Sequence, residues 1–481
     1  MPDRRRLPRS TPEDEGVSSR ALLALVDDLE RSTPEVHSLM VLRHGAVLAE
    51  GWWAPFAADR AHQLFSLSKS FTSTAVGLAQ ADGLLTVDDL VLDHFPDEAP
   101  AEPGEHLARM RVRDLLTMTA GHDADPSDGV FAAPDWVRAF LAQPVEHAPG
   151  THFTYNTAAT YMLSAMVQKA TGERLLDYLG PRLLAPIGIT GATWERSPQG
   201  IDTGGFGLSI TTEDIACFGQ LLLDDGMWGG ERLLPDGWVA EATARQVSNG
   251  TEPANEGAQG YGHQFWRCTH DAYRADGAFG QLCVVLPAQE VVVAITAAVA
   301  DIGAVLRSLW KHLLPGIADR PETPDPVAAD ALTARLAGLR LDPPAGEPAS
   351  AVASRVSGRA IVFEPNPSGI TSATLDAGPD HDSVTLVTGG RTTSVEAGHG
   401  RWLPGRVAAP DRPGMLPVLS SAVWTAPDTY VLTVRQSDGP FVLTVTATVT
   451  GDDVAVRSRF HVAFGPTEQP PLTGRLSDLR H

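Results

Sequence analysis

The stretch at residues 66–81 limits most strongly how this chain can fold. Its sequence has helical periodicity and ends at Gly83, and apolar side chains lie almost all round the predicted helix. These apolar residues are Phe65, Leu67, Phe71, Val76, Leu78 and Ala79. A helix that is apolar on nearly every side has to be enclosed by protein. We therefore predict a buried helix that starts at Ser66.

Ser66 and Lys69 stand one turn apart on the same face at the start of this helix. The free N–H groups of the first turn point at whatever is bound there. Only three of the 37 basic residues are lysines, namely Lys69, Lys169 and Lys311. Arginine can supply a fixed charge but cannot act as a base, whereas burial lowers the pKa of a lysine. The pair therefore predicts a serine nucleophile with a lysine base.

The same spacing recurs at Ser308 and Lys311, so the spacing alone is not diagnostic. This second pair lies in the middle of a predicted helix at residues 303–314, beside Trp310 and before a proline-rich stretch. A solvated lysine is the ordinary expectation there. We assign function only to the first pair.

Strand patterns occur near both ends of the first 315 residues, with helical patterns between them. This order predicts an α/β (α+β) domain at residues 1–315, in which an antiparallel sheet assembled from both termini is flanked by helices. An all-α subdomain is expected to be inserted at about residues 84–205. The predicted helices are 19–30, 66–81, 111–118, 136–141, 158–170, 173–179, 212–223, 238–245 and 303–314, and the predicted strands are 37–42, 46–53, 280–286 and 291–296.

The composition changes after Pro315. Residues 316–350 are rich in Pro and Ala and contain a short helical pattern at 328–339, which indicates a linker. Residues 351–481 consist almost wholly of strand patterns separated by turn signals, so we predict a C-terminal all-β domain, either a barrel or a sandwich. We find no set of catalytic residues in it.

The composition also excludes some classes of partner. A formal charge of −22 argues against nucleic acid and against an anionic membrane surface, since both require a basic face. The basic start at Arg4–Arg6 has no apolar stretch behind it, so we expect no secretory signal there. The longest apolar run, residues 291–300, is about half the roughly 18 residues that span a bilayer. Three cysteines without metal-ligand spacing indicate free buried thiols in a reducing compartment. We expect a cytoplasmic protein.

Tyr155 is the best candidate for passing a proton between the nucleophile and a leaving group, because it follows a Pro-Gly turn and stands just before a long predicted helix. There is no Gly-x-Ser-x-Gly sequence, which disfavours an α/β-hydrolase despite 15 histidines. His122, Asp123 and Asp125 share one loop, as do Asp380, His381 and Asp382. Such loops are usually solvated turns, and we expect no metal site and no cofactor.

The chain resembles the serine β-lactamase and penicillin-binding-protein-like hydrolases, in particular the branch of class C β-lactamases, related carboxylesterases, D-amino-acid peptidases and 6-aminohexanoate-dimer hydrolases. The resemblance covers roughly residues 10–315 and implies a β-lactamase/transpeptidase-like fold. It rests on six stretches that occur in order: Val41-Leu42-Arg43-His44-Gly45, Leu64-Phe65-Ser66-Leu67-Ser68-Lys69-Ser70-Phe71, residues 112–122, residues 149–155, Gly204-Gly205-Phe206-Gly207-Leu208-Ser209, and Gly277-Ala278-Phe279-Gly280-Gln281.

This resemblance implies that Ser66 is the acylated nucleophile, Lys69 the general base and Tyr155 the proton relay. The third family element, a Lys-Thr-Gly or His-x-Gly triplet on an edge strand, corresponds to Ala275-Asp276-Gly277. The backbone N–H groups of Ser66 and Ala278 would then form the oxyanion hole. The residues expected to line the substrate pocket are His122, Asn156, Asp276, Gly277, Phe279 and Trp266.

Two departures from the family pattern narrow the expected function. The second family motif is Tyr-x-Asn, but Thr157 holds the third place here and the Asn comes one residue early, at Asn156. The third motif lacks its Lys or His, and Arg274, which precedes it, is expected to point away from the face of Asp276. Groups that help to hold β-lactams and peptidoglycan stems are therefore missing. We expect a small-molecule ester or amide substrate.

Two alternatives stay open at this point. One is an acyl-transferring, peptide-cyclising or D-peptide-cleaving enzyme, which would share the acyl-enzyme intermediate. The other is a catalytically silent protein that displays the C-terminal domain for binding. The sequence indicates no oligomeric state.

Overall fold

The protein is described by a computed structural model that covers residues 7–33, 35–409 and 414–480. It divides into two compact units. The first contains the described residues up to Trp52 together with Ala57–Leu339, and the second contains Trp53–Phe56 and the described residues from Arg340 onward. The basic run Arg4–Arg6, where we expected no secretory signal, lies outside the described residues.

The first unit is organised by a six-stranded antiparallel sheet with the strand order β2-β1-β11-β10-β9-β8. The pairing of β1 with β11 joins the two ends of the unit, which confirms the predicted sheet assembled from both termini. The strands of this unit are β1 (Val36–Arg43), β2 (Ala46–Trp52), β3 (His62–Gln63), β4 (Thr193–Trp194), β5 (Leu208–Ile210), β6 (Met227–Trp228), β7 (Glu231–Arg232), β8 (Trp266–Arg267), β9 (Tyr273–Gly277), β10 (Gln281–Leu286) and β11 (Val291–Ala297).

Local sequence explains how the sheet forms. The two residues between β1 and β2, His44 and Gly45, have φ of 48° and 78°, the left-handed conformations that give a hairpin turn the same twist as its strands. Every residue of β10 and β11 is buried, in keeping with their continuous apolar sequences. Helix α9 (Thr212–Leu223) packs on this part of the sheet. At Gly219 a side chain would lie only 2.5 Å from Val292, so glycine permits the close contact.

The helices of the first unit surround this sheet or form the region between β3 and β5. None of the helices in the described ranges is long and apolar enough to cross a membrane. The remaining helices are α1 (Ser19–Ser32), α2 (Ser68–Ala81), α3 (Val91–His94), α4 (Val112–Leu116), α5 (Ser127–Phe131), α6 (Trp136–Leu141), α7 (Thr157–Thr171), α8 (Leu175–Leu179), α10 (Trp238–Thr243), α11 (Ile302–Ser308) and α12 (Pro326–Ala337).

Helix α2 is the buried helix that the sequence predicts. All of its residues from Ser68 to Ala79 are buried, and it packs against α7. A 3₁₀ turn, Phe65–Leu67, precedes it, so Ser66 lies in this turn rather than in the α-helix itself. Two of its hydroxyls attach it to other segments: Ser70 donates to the Gln264 carbonyl at 2.7 Å, and Thr72 donates to the Gly204 carbonyl at 2.9 Å.

The first unit extends beyond residue 315 because α12 belongs to it. This helix packs against α1, and Arg335 forms ion pairs with Asp27 and Glu30 of α1. The Asp325 side chain accepts a hydrogen bond from the Ala328 N–H and thereby caps the helix. The structure thus places the short helix expected in the 316–350 linker within the first unit.

The second unit contains a closed barrel, so the all-β domain predicted as a barrel or a sandwich is a barrel. Nine strands form it, β12–β15 and β17–β21. The neighbours follow the order β15-β14-β13-β12-β21-β20-β19-β18-β17, and a parallel pairing of β15 with β17 closes the ring. The elements are α13 (Ala353–Val356), β12 (Arg359–Phe363), β13 (Ile370–Ala377), β14 (His381–Thr388), β15 (Arg391–His399), β16 (Leu403–Ala408), β17 (Met415–Ala426), β18 (Thr429–Gln436), β19 (Val442–Thr450), β20 (Asp453–Phe460) and β21 (Leu472–Arg480).

One of the two His/Asp loops noted in the sequence contributes to this barrel. The Asp382 side chain is buried. Its carboxylate accepts a hydrogen bond from the Tyr430 hydroxyl at 2.9 Å, and its other oxygen lies 3.0 Å from His399 Nε2. These contacts connect β14, which carries Asp382, with the neighbouring β15 and with β18 elsewhere in the barrel.

Helix α2 offers a test of how tightly the first unit is packed around it. A Cβ at Gly77 would lie 2.4 Å from the Trp238 indole ring, whereas a Cβ at Gly129 in α5 would meet nothing within 4 Å. We expect Gly77→Ala to lower the free energy of unfolding by about 1–3 kcal/mol through overpacking. Gly129→Ala should leave it unchanged or raise it slightly. Thermal unfolding of both variants measures this, and equal melting temperatures would contradict the packing described here.

Candidate active site

Ser66 is positioned by the chain just before α2. The Leu64 N–H donates to the Leu208 carbonyl at 2.9 Å, which attaches this segment to β5. Phe65 then adopts φ of 47°, and the 3₁₀ turn follows. A left-handed conformation is unusual for a bulky residue and costs about 1 kcal/mol or more. The half-buried Ser66 side chain is thus placed by a strained turn just before the start of the buried helix α2.

Lys69 is buried and has three oxygen neighbours. Its Nζ lies 2.9 Å from Ser66 Oγ, 3.3 Å from Thr157 Oγ1 and 2.8 Å from the carbonyl oxygen of Gly205. A Cβ at Gly205 would lie only 2.8 Å from Thr157 Cγ2. Glycine therefore lets this backbone carbonyl reach the amine.

Burial controls the charge of Lys69. Desolvation lowers the pKa of the amine to about 7, and the negative charges of Asp125 and Asp276 act in the opposite direction. A large fraction of the Lys69 side chains is therefore neutral near pH 7. A neutral amine 2.9 Å from a serine hydroxyl can accept its proton.

Tyr155 lies close to both Ser66 and Lys69. Its hydroxyl is hydrogen-bonded to the Ser66 side chain, and Lys69 Nζ lies 4.9 Å from the centre of its ring. Burial raises the pKa of Tyr155 well above its usual value, so the phenol stays protonated at neutral pH. The structure thus brings Ser66, Lys69 and Tyr155 together.

Aromatic rings form a wall around Tyr155. The Trp266 ring stacks on it with centroids 5.3 Å apart, and Tyr261 meets it edge-on at 6.2 Å. Phe153 in turn contacts Tyr261 at 5.5 Å. This packing fixes the Tyr155 ring and makes this side of the site apolar. Trp266, expected in the substrate pocket, therefore lies against Tyr155.

Ala278 follows β9 at the point where this strand comes closest to the turn that carries Ser66. A Cβ at Gly277 would lie 2.0 Å from the Leu64 carbonyl oxygen, so only glycine permits this approach. The Gly277 carbonyl accepts a hydrogen bond from the Gly280 N–H at 3.2 Å, which fixes the peptide plane that carries the Ala278 N–H. The two backbone groups expected to form an oxyanion hole thus lie in adjoining segments.

Two phenylalanines flank these backbone groups. Phe65 directly precedes Ser66 and Phe279 directly follows Ala278. Both have left-handed φ values, 47° and 65°, and their rings pack edge to face with centroids 6.0 Å apart. The surroundings must hold both strained residues in place, and this ring contact contributes to that.

The expectation that Arg274 points away from the face of Asp276 is wrong. Arg274 Nε lies 2.7 Å from Asp276 Oδ2, and both side chains are mostly buried. Residues two apart on a strand share a face, so this arrangement follows from strand geometry. Arg274 also donates to the Glu256 carbonyl at 3.0 Å and lies over the Trp266 ring. Its charge is therefore matched by Asp276.

His122 and Asn156, expected in the substrate pocket, contact each other. Both are buried, and Asn156 Nδ2 lies 3.2 Å from His122 Nδ1. The Asn156 side-chain oxygen accepts a hydrogen bond from the Ala159 N–H and so caps α7. Burial lowers the pKa of His122, which favours the neutral ring. These contacts fix the loop next to Tyr155.

Thr157 is the residue that sequence reasoning missed. Its hydroxyl lies 3.3 Å from Lys69 Nζ, and its place in the second motif is the one that the family pattern gives to Asn. The sequence signal was therefore present, since a hydroxyl can accept the same hydrogen bond from the lysine. Asp123, His147 and His152 form a group of side chains that could hold a metal ion.

This fold, with a Ser-x-x-Lys pair where a 3₁₀ turn leads into a buried helix, defines the class of β-lactamase-like hydrolases. The family model described as Beta-lactamase matches residues 26–307, more than half of the 481 residues. The chain therefore belongs to the Beta-lactamase family.

Individual relatives are more distant. The chain is 29% identical over 256 residues to a 6-aminohexanoate-dimer hydrolase of Paenarthrobacter ureafaciens, covering 49% of this chain and 64% of that protein. It is 29% identical over 161 residues to a D-aminopeptidase of Brucella anthropi, covering 31% of each. The chain thus matches less than two thirds of either relative. The solved octameric penicillin-binding protein homologue of Pyrococcus abyssi shares the fold at 14% identity, with a TM-score of 0.51 over 95% of this chain and 99% of that one.

The contact of Thr157 with Lys69 can be tested by an isosteric change. Thr157→Val removes the hydroxyl and keeps the shape, so Lys69 loses one hydrogen-bond partner worth about 1 kcal/mol. We expect the rate of fluorophosphonate labelling of Ser66 to fall on the order of fivefold. Thr157→Ser keeps the hydroxyl and serves as the control. Equal rates for the Val and Ser variants would show that the hydroxyl has no role.

Proposed function

We propose that this protein is a serine hydrolase that forms an acyl-enzyme through Ser66 on a small carboxylic ester or amide. The observation that carries the proposal is the 2.9 Å contact between Ser66 Oγ and a buried lysine whose pKa is lowered to about 7. A serine hydroxyl becomes a useful nucleophile only when a neighbouring base removes its proton. Lys69 is suited to this role because burial keeps much of it neutral.

In the first step, the neutral Lys69 amine takes the Ser66 proton while Ser66 Oγ attacks the substrate carbonyl carbon. The carbonyl oxygen becomes an oxyanion, which the N–H groups of Ser66 and Ala278 would stabilise. Loss of one such donor typically costs about 10² to 10³ in rate. The two strained phenylalanines on either side keep these donors in place.

In the second step, the tetrahedral intermediate collapses and the leaving alcohol or amine takes a proton. Tyr155 is suited to deliver this proton, because its phenol is protonated and hydrogen-bonded to Ser66. Lys69 in turn passes its proton on to Tyr155. Water then enters and attacks the acyl-enzyme, with the Lys69/Tyr155 pair acting as the base, and Ser66 is released with its proton.

The charges around the site bear on the substrate. Arg274, the cation beside the third motif, is paired with Asp276 and is not free to bind a substrate carboxylate. The side of the site formed by Trp266 and Tyr155 is aromatic. These features support a neutral substrate without the carboxylate of a β-lactam. The two relatives are named for the cleavage of amide bonds, which favours a small amide over an ester.

Incubation with p-nitrophenyl esters, p-nitroanilides and a fluorophosphonate, followed by mass spectrometry, tests the proposal. We expect turnover of a chromogenic substrate and a single phosphonate adduct on the peptide that contains Ser66. The Ser66→Ala variant should show neither. Adding amines and identifying the products separates hydrolysis from acyl transfer. An unlabelled Ser66 together with no turnover would reject the proposal.

The role of Lys69 as a base gives a specific prediction. Lys69→Arg keeps the positive charge but cannot lose its proton, so it should be as inactive as Lys69→Ala, with kcat/KM lowered by roughly 10² to 10⁴. Lys311→Arg is the matched control, because Ser308 and Lys311 have the same spacing and Lys311 is exposed. We expect this control to keep full activity. Substantial activity in Lys69→Arg would mean that the lysine acts only as a fixed charge.

The electrostatic role of Asp125 predicts a shift in pH dependence. Its carboxylate raises the pKa of Lys69, and Asp125→Asn removes this charge while keeping a side-chain oxygen. The pKa of Lys69 should fall further, so the amine becomes neutral at lower pH and the acidic limb of kcat/KM moves to lower pH. Asp128→Asn, an exposed change in the neighbouring helix, is the control. If the acidic limb of the kcat/KM profile stays in place or moves to higher pH, Asp125 does not raise the pKa of Lys69.

A further inference from the structure

Three side chains of types that can bind a metal ion lie close together, on loops next to the candidate active site. Asp123, His147 and His152 each offer one ligand atom, and these atoms all lie within 4.8 Å of one another. His147 Nε2 lies 3.1 Å from Asp123 Oδ1, and the rings of His147 and His152 stack with centroids 4.1 Å apart. Asp123 is exposed, and both histidines are accessible to solvent. A metal ion can therefore reach this cluster from solvent.

The chemistry of the three groups indicates which ions they suit. Two imidazoles and one carboxylate are ligands for zinc and for other late divalent metals, whereas Mg²⁺ and Ca²⁺ prefer oxygen ligands alone. In a tetrahedral zinc site with bonds of about 2.0–2.1 Å, neighbouring ligand atoms lie about 3.3 Å apart. The spacing of Asp123 and His147 is already close to this value. Small side-chain rotations would bring all three atoms to one ion, and water would complete its coordination.

The backbone around the cluster is firmly held. The His147 N–H donates to the Gly121 carbonyl at 2.9 Å, and the Gly150 N–H donates to the Thr119 carbonyl at 2.9 Å. A Cβ at Gly121 would lie 2.3 Å from the His147 carbonyl oxygen, so the two segments are as close as backbones can be. The ligands are therefore presented by fixed loops, which lowers the entropy cost of binding an ion.

We propose that Asp123, His147 and His152 form a binding site for a zinc-like divalent cation. Local sequence does not predict this site, because the histidine next to Asp123, His122, is buried against Asn156. The two imidazoles that lie near Asp123 belong to residues 147 and 152. The ion would cross-link the loop that carries Asp125 to the segment that ends at Tyr155. The bound ion is predicted to stabilise this loop and this segment, which both support the candidate active site.

The direct test is zinc binding to the full chain after removal of metals with a chelator. Isothermal titration with ZnCl₂ should show one tight equivalent, and the melting temperature should rise with zinc concentration, since an ion that binds the folded state stabilises it. MgCl₂ at the same concentrations should have no such effect. Zinc affinity should fall by about tenfold or more in His147→Ala and in His152→Ala, because even outer-shell changes at zinc sites cost this much.

His94→Ala is the matched control, because His94 lies 3.3 Å from Asp89 and so forms an Asp–His pair that lacks the second imidazole. It should bind zinc like the wild type. Asp123→Asn, a change at an exposed side chain, provides a variant that is expected to fold even if a histidine variant does not. The proposal is overturned if the wild type binds no stoichiometric zinc, or if Asp123→Asn and the two histidine variants all bind as tightly as the wild type.

Discussion

Burial of the Lys69 amine beside Ser66 is the interaction on which the rest of the candidate active site depends. An ammonium group cannot be taken out of water without compensation, and here three oxygen atoms, from Ser66, Thr157 and Gly205, surround it while its pKa falls to about 7. Each oxygen belongs to a different part of the unit. The buried helix α2, the start of α7 and the Gly204-Gly205 segment must therefore come together for the amine to be buried at all.

The same constraint explains several features around the site. Gly205 and Gly277 stand where a side chain would clash with a neighbouring segment, so they let the backbone approach the amine and the Ser66 turn. Phe65 and Phe279 have left-handed φ values next to Ser66 and Ala278, the two residues whose N–H groups the proposal assigns to an oxyanion hole. Asp125 and Asp276 act against desolvation and keep the pKa of Lys69 near 7 rather than lower. Because desolvation and the two carboxylates have opposite effects on its pKa, Lys69 can both accept and return a proton near neutral pH.

Local sequence patterns predicted much of this arrangement, but they did not predict the contacts between distant segments. Periodicity predicted α2 and α9, because it depends on neighbouring residues. Strand patterns near both ends of the first 315 residues predicted the antiparallel sheet in the same way. Strand alternation, applied correctly, would also have paired Arg274 with Asp276. By contrast, the partners of Asp123 lie more than 20 residues away, and the closure of the barrel depends on a pairing of β15 with β17. No local pattern carries such information, which arises only from tertiary packing.

The pKa of Lys69 is the quantity that most directly tests this account, and the scarcity of lysine makes it accessible. With ¹³C at the ε-carbon of lysine, the chain should give three resonances, from Lys69, Lys169 and Lys311. We expect one resonance to titrate with a pKa of about 7 and to be missing in Lys69→Arg. If no lysine resonance titrates below about pH 9, closer to the ordinary value near 10.4, Lys69 is a charged structural residue and the proposed base does not exist.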